Sequence, residues 1–209
     1  MQLDRPLRTV TPTVDGDVLA VLGRADADFT PSAVKDLIGE HSVEGVRNAL
    51  NRLAGQGIVE QRRAGAAYLY RLNRNHLAAG PLIALAGLRD TLLSQVCARI
   101  ARWSVPCAYA ALFGSAARGG MRADSDIDIF VVRPLDVAAD DDVWQEQLRE
   151  LGHDIVTWTG NDTQVLEYSA SEVEQGFRDN DSVLLDIQAA GIRLGGPAEY
   201  LGREWRRRP

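Results

Sequence analysis

Two stretches hold residues whose types and spacing could do chemistry: Tyr109 to Gly119, reading YAALFGSAARG, and Ser125 to Val132, reading SDIDIFVV. Residues 108–113 are an apolar run that stops abruptly at Gly114-Ser115. This predicts a strand delivering a tight turn, with a helix after it. Backbone N–H groups and the Ser115 hydroxyl can face a phosphate at such a turn. Arg118 adds a planar cationic donor within one helical turn. In the second stretch Asp126, Ile127, Asp128 and Ile129 alternate. Period 2 sets both carboxylates on one face of a strand and both isoleucines on the other. The run continues apolar through Phe130, Val131 and Val132, as in a strand covered on both sides. Side-by-side carboxylates repel each other, and a divalent cation resolves the conflict. Mg²⁺ suits hard oxygen ligands and shares its shell with phosphates and water. The pair therefore predicts metal-dependent phosphate chemistry.

These residues resemble the polymerase-β-type nucleotidyltransferase superfamily, whose pattern is a Gly-Ser turn followed by Asp-x-Asp on a strand. Ten residues, 116 to 125, separate Ser115 from Asp126. The extended form GSAARG…SDIDIFV is similar to the small bacterial MNT-type branch, which includes antibiotic-modifying enzymes and antitoxins. The resemblance spans roughly residues 82–196. It implies that Gly114 and Ser115 hold a nucleoside triphosphate, assisted by Arg118. It implies that Asp126 and Asp128 are the catalytic, Mg²⁺-binding carboxylates, with room for two ions. An acceptor hydroxyl would then displace pyrophosphate in line at the α-phosphorus.

The resemblance also implies a third carboxylate on a later, neighbouring strand. Here that strand is Thr163 to Tyr168, TQVLEY. Alignment on Ser169, with a helix opening at Ser171 under a Ser171–Glu174 capping box, puts Gln164 where the acid should stand. Asp162 shares the face of Gln164, and Glu167 faces the other way. Either could replace the acid only through a slipped register or a bulge. A glutamine can coordinate a metal but cannot take a proton, so turnover is in question while nucleotide binding is not. The acidic run Asp140-Asp141-Asp142 reads as the first turn of a helix rather than a metal site.

The elements ahead of these motifs form a different pattern. Val14, Val18, Val21 and Leu22 are spaced for one helical face. Thr30-Pro31 opens a second helix. Ser42 caps a third, whose stripe is Val43, Val46, Leu50 and Leu53. Two β-like runs, Ile58 to Arg63 and Ala67 to Leu72, flank a small-residue turn and read as a hairpin. Three short helices and a hairpin resemble a winged helix-turn-helix domain. The resemblance implies a third helix in the major groove of double-stranded DNA and a hairpin wing on the backbone. Arg47, Asn48, Asn51 and Arg52 on the third helix, with Arg62 and Arg63 on the wing, are then the expected DNA-binding residues. A purely solvated face, or a dimerisation module, fits the same pattern.

The expected fold is α+β. A winged helix-turn-helix domain over residues 1–79 precedes a minimal nucleotidyltransferase domain over residues 80–209, a small mixed sheet flanked by helices. A helix over 81–103, with the stripe Leu85, Leu88, Leu92, Val96, Ile100 and Trp103, leads into the second domain. A dimerisation helix is its rival reading.

Composition bounds these readings. The chain has 209 residues, 23 basic against 29 acidic, and a net charge of −6, which disfavours a purely basic nucleic-acid coat protein. Residues 1–79 carry ten basic and nine acidic side chains, so DNA affinity would need local clustering or dimer symmetry. Two cysteines build neither a disulfide framework nor a zinc site, which suits a cytoplasmic home. His41, His76 and His153 are scattered, so a shared ligand role is not expected. The N-terminus lacks an apolar core of a signal peptide, and the longest uncharged apolar stretch is too short to span a bilayer.

Three functions fit. The first is a Mg²⁺-dependent transferase of nucleoside monophosphate, coupled to a DNA-binding winged helix. The second is a transcriptional regulator whose second domain binds nucleotide without turnover. The third is an antitoxin-like partner of a separate toxin. A homodimer is expected, because winged helices read paired half-sites.

Overall fold

A computed structural model describes residues 1–202. The arginine-rich tail, Arg203, Arg206, Arg207 and Arg208, read from sequence as solvated or touching nucleic acid, lies outside the described residues. The chain forms two compact units, one from Gln2 to Arg89 and one from Asp90 onward.

In the first unit a 3₁₀ turn at Pro6–Thr9 precedes α1 (Val14–Arg24), α2 (Pro31–Ile38) and α3 (Val43–Gly55). The starts of α2 and α3 are set by side-chain caps. Thr30 Oγ1 accepts from Ala33 N at 3.2 Å, and Ser42 Oγ accepts from Gly45 N at 3.0 Å. Each satisfies an amide that the helix itself leaves unpaired. Val18, Leu22, Val34, Val46 and Leu50 lose all water contact in the core between the helices. Each contributes about 1.5–3 kcal/mol relative to exposure. Strands β1 (Val59–Ala64) and β2 (Ala67–Leu72) pair antiparallel from Val59↔Leu72 to Ala64↔Ala67. Their turn holds Gly65 at φ +62°, a left-handed conformation that suits glycine.

The helix expected over 81–103 is two helices, α4 (Ala79–Ala86) and α5 (Leu88–Ile100). They break at Gly87, whose backbone N–H closes a turn on Ile83 and Ala84 carbonyls at 3.0 and 3.2 Å. Helix α4 buries Ala79 and Ala86 in the first unit's core beside Leu82, Ile83 and Leu85. The packing division therefore falls after Arg89, ten residues beyond the boundary read from sequence.

The second unit is built on a mixed four-stranded sheet in the order β5-β4-β3-β6. Its strands are β3 (Tyr109–Phe113), β4 (Ile127–Arg133), β5 (Thr163–Ser169) and β6 (Ile192–Gly195). Strand β3 is antiparallel to β4 and β6, while β4 and β5 are parallel. A parallel neighbour needs a crossover, which α7 (Asp142–Thr159) supplies. Asp141 caps α7 through Trp144 N at 2.9 Å, so the acidic run is a helix start. The short α6 (Gly114–Arg118) follows β3 directly.

Helices α8 (Ala170–Arg178) and α9 (Ser182–Ala190) complete the unit. They cover the face of Tyr109, Ala111, Phe130 and Val132 with Val173, Phe177, Leu184 and Ile187. The capping box of α8 is Ser169 with Glu172, not Ser171 with Glu174. Strand β5 runs straight into the helix, so Ser169 is both its last residue and the cap.

Candidate functional site

Gly114 stands at the exit of β3 with φ +68°. A Cβ there would overlap Asp128 Oδ2 and lie 3.2 Å from Asp128 Cγ. The carboxylate therefore packs directly on the glycine backbone, which any side chain would obstruct. The approach follows from the register, because Phe113 and Asp128 are cross-strand partners. No side chain caps α6; its N-cap, Phe113, makes no such bond. Ser115 is half-buried at the start of this helix.

Asp128 is half-buried on β4, and Asp126, just ahead of the strand, is exposed. Burial first, and the Asp126 charge second, hold the Asp128 carboxyl above the usual carboxylate range; Arg118 opposes them. Arg118 itself pairs with Asp186 of α9. The anionic pair is thus relieved only at a distance by a guanidinium that already has a partner. Two carboxylates and a nearby amide oxygen form a hard, oxygen-only donor set, which fits a divalent cation such as Mg²⁺.

Gln164 is the direct partner of Asp128 across the parallel β4–β5 pair. Paired residues of a parallel ladder point to the same face, so the Gln164 amide flanks the carboxylate. The register runs unbroken from Ile127↔Thr163 to Arg133↔Ser169, so neither bulge nor slip occurs. Asp162 stands one step before this ladder, beside Asp126, and its carbonyl accepts from Ile127 N at 2.8 Å. Glu167 is on the opposite face and already engaged. Its Oε1 accepts from Arg133 Nε at 2.6 Å and from Trp144 Nε1 at 3.0 Å.

The expected DNA-binding residues sit in the first unit. Arg47, Asn48, Asn51 and Arg52 are exposed on α3, and Arg62 and Arg63 are exposed on β1. Three of the four arginines are paired with acids. Arg47 meets Glu44 at 2.6 Å, Arg52 meets Asp15 at 2.7 Å, and Arg62 meets Asp28. Arg63 donates to the Gly65 carbonyl at 3.2 Å. A cleft of about 450 Å³ opens between α3 and the hairpin, lined by Arg47, Asn51, Gln61, Tyr68 and Tyr70 together with the start of α2.

One cluster escaped the sequence reading. Asp17, Glu40 and His41 bring one ligand atom each within 4.8 Å of one another, the three-ligand group of this kind among the described residues. Asp17 is buried and accepts from Arg8 Nε at 2.9 Å and Arg8 Nη2 at 2.7 Å, with His41 Nε2 also 2.9 Å away. Arg5 and Arg8 both pair with Glu40. The arginines already neutralise these acids, so the group is an ion-pair network. His76 instead accepts from Ala78 N at 3.1 Å, and His153 is exposed on α7. No helix among the described residues is long and apolar enough to cross a membrane.

No curated protein matches the chain. Solved structures do. A crystal structure of a toxin–antitoxin with AMP-PNP is 18% identical, with a TM-score of 0.37, over 52% of this chain and 77% of that one. Two mutant forms of the MntA–HpeT toxin–antitoxin are 15% and 20% identical, with TM-scores of 0.36 and 0.33. They cover 52% and 54% of this chain and 76% of each of those chains. Residues 96–173, which hold β3, α6, β4, α7 and β5, match the family model described as the nucleotidyltransferase domain.

Proposed function

We propose that the second unit transfers a nucleoside monophosphate from a nucleoside triphosphate to an acceptor, with Mg²⁺, and that the first unit is a winged helix-turn-helix that binds double-stranded DNA. The observation that carries the transferase reading is the packing of the Gly114-Ser115 turn onto Asp128, beside Asp126. That contact sets a phosphate-holding turn and a cation-holding carboxylate side by side.

Each residue then has a role. Gly114 and Ser115 hold the triphosphate through backbone N–H groups and the hydroxyl, and Arg118 swings from Asp186 to the phosphates. Asp126 and Asp128 hold Mg²⁺, which when bound neutralises phosphate charge as it develops. The acceptor oxygen bonds to the α-phosphorus while the bond to pyrophosphate breaks in line. Gln164 can orient the acceptor or donate to a phosphate oxygen. It cannot receive the acceptor's proton, which passes to water or to Asp162.

A second reading follows from the Asp128–Gln164 pairing. Without an acid at that place, the unit binds nucleotide, does not turn it over, and changes the DNA affinity of the first unit by linkage. On either reading the protein is a cytoplasmic homodimer that meets paired half-sites.

The purified protein incubated with α-labelled ATP, GTP, CTP and UTP, Mg²⁺ and a cell lysate tests both. Label moved to an acceptor, and lost in Asp126→Asn, supports the transferase. Nucleotide binding by calorimetry with no transfer, and a nucleotide-dependent change in DNA affinity, supports the sensor instead. Transfer that survives Asp126→Asn together with Asp128→Asn overturns the roles given to both carboxylates.

A further inference from the structure

Asp126 precedes both ladders of β4, which pairs with β5 only from Ile127 and with β3 only from Asp128. Strand pairing therefore does not hold its backbone. The loop that delivers it closes a turn, in which Ser125 N donates to the Arg122 carbonyl at 3.2 Å and Arg122 N donates to Ser125 Oγ at 3.0 Å. The buried side chain of Asn161, 3% exposed in the turn between α7 and β5, reaches this loop. Its Nδ2 donates to the Ala123 carbonyl at 3.2 Å and to the Ser125 carbonyl at 2.9 Å. Carbonyl oxygens only accept, so the NH₂ of the amide must face them. Asn161 is itself anchored. Its N–H donates to Thr159 Oγ1 at 3.2 Å, and that hydroxyl donates to the Ile155 carbonyl at 2.7 Å within α7.

These bonds bracket Asp126. The Ser125 carbonyl belongs to the peptide plane that enters the Asp126 Cα. The plane that leaves it carries the Ile127 N–H, which donates to the Asp162 carbonyl at 2.8 Å. A peptide unit is planar, so holding both planes restricts φ and ψ at the residue between them, and with them the direction of its Cα–Cβ bond. Two consecutive residues, Asn161 through its side chain and Asp162 through its backbone, thus aim the Asp126 carboxylate. The aim matters because Asp126 is exposed and the Asp128 charge repels it. An unheld carboxylate would turn away to water.

We infer that Asn161 is a positioning residue of the cation site, holding Asp126 beside Asp128 by way of the loop rather than as a ligand. This rests on the Mg²⁺-dependent reading of the two carboxylates above. Residues that orient the ligands of a metal without touching it are worth about 10–100-fold in its affinity. A residue that only supported the fold would change cation binding no more than any other core residue of the unit.

Mn²⁺ binding to the full chain, followed by electron paramagnetic resonance, tests this without turnover. Mn²⁺ stands in for Mg²⁺ on hard oxygen ligands. Asn161→Ala removes both donors and should weaken Mn²⁺ binding by about tenfold or more. Leu148→Val is the control, a truncation of a buried residue about three turns earlier on α7. It should lower the melting temperature and leave Mn²⁺ affinity unchanged. Should Asn161→Ala fail to fold, Asn161→Ser keeps a single donor, which cannot serve both carbonyls, and the same direction of loss is expected. Native Mn²⁺ affinity in the folded Asn161 variant overturns the inference and leaves the cation reading standing, as does an equal loss in Leu148→Val. Mn²⁺ binding that persists in Asp126→Asn together with Asp128→Asn, or no binding by the native chain, overturns the cation reading, and this inference with it.

Discussion

Asp128 and Gln164 are register partners across two parallel strands, so a carboxylate and a neutral amide stand side by side at the centre of the candidate site. The relationship isolates what one atom exchange should do. Gln164→Glu replaces the amide nitrogen by oxygen and supplies a carboxylate of the same reach on the same face. It can complete a cation site and receive a proton, and general-base assistance of this kind contributes about 10²–10⁴-fold. The expected outcome is at least a tenfold rise in Mg²⁺-dependent pyrophosphate release. An unchanged or lower rate, with nucleotide affinity intact, would show that the native protein passes its proton elsewhere.

Gly114→Ala should damage the same site from the other side. The new methyl would overlap Asp128 Oδ2, and the backbone sits at φ +68°, where an L side chain is strained. Each strained contact of this kind costs about 1–3 kcal/mol. Denaturant unfolding of the variant should show a loss in that range. Calorimetry should show weakened nucleotide binding even where the fold persists. A variant as stable as the native chain would mean that the turn relaxes more freely than its packing suggests.

The Asp128 carboxyl gives a pH signature. Burial and the Asp126 charge raise it above its ordinary value. The folded chain then holds a proton that the unfolded chain releases, so the contribution of this group to stability is greatest below the ordinary carboxylate range. It falls as pH rises through the raised value. Without divalent cations, Asp128→Asn should be at least as stable as the native protein at neutral pH. The difference should shrink below about pH 4, the ordinary value for aspartate. Added Mg²⁺ should raise the melting temperature of the native protein and not that of the variant. Equal Mg²⁺ responses would remove Asp128 from the cation site.

Sequence legibility differs sharply between local and distant relationships. The Asp-Ile-Asp-Ile alternation reads as a strand by itself, and β4 opens at Ile127 with Asp128 on it and Asp126 just ahead of it. The caps Thr30 and Ser42 were readable because each bonds an amide three residues on. The α8 cap was misplaced by two residues, because sequence does not show where a strand hands over to a helix without a loop. The break at Gly87 was hidden by an apolar stripe that continues on both sides of it. The pairings of Arg118 with Asp186, Arg52 with Asp15 and Asp17 with His41 join residues 68, 37 and 24 apart. Such pairings are products of tertiary packing, and no spacing rule encodes them.

Those distant pairings govern the last prediction. Arg52 and Arg62 point from the helix–hairpin face, yet Asp15 and Asp28 neutralise them. An arginine held by a carboxylate must exchange one anion for another to meet a phosphate. Its contribution to counterion release is correspondingly reduced. Exposed pairs of this kind are weak, about 0.2–1 kcal/mol each, so on the proposed DNA-binding role the acids would tune affinity more than they stabilise the fold. The double variant Asp15→Asn, Asp28→Asn should bind duplex DNA several-fold more tightly at low salt. Its log–log salt slope should steepen by up to about one per freed arginine, while its melting temperature changes little. A tighter complex with an unchanged slope would mean that the two arginines do not reach phosphate and that the gain came from the lost negative charge alone.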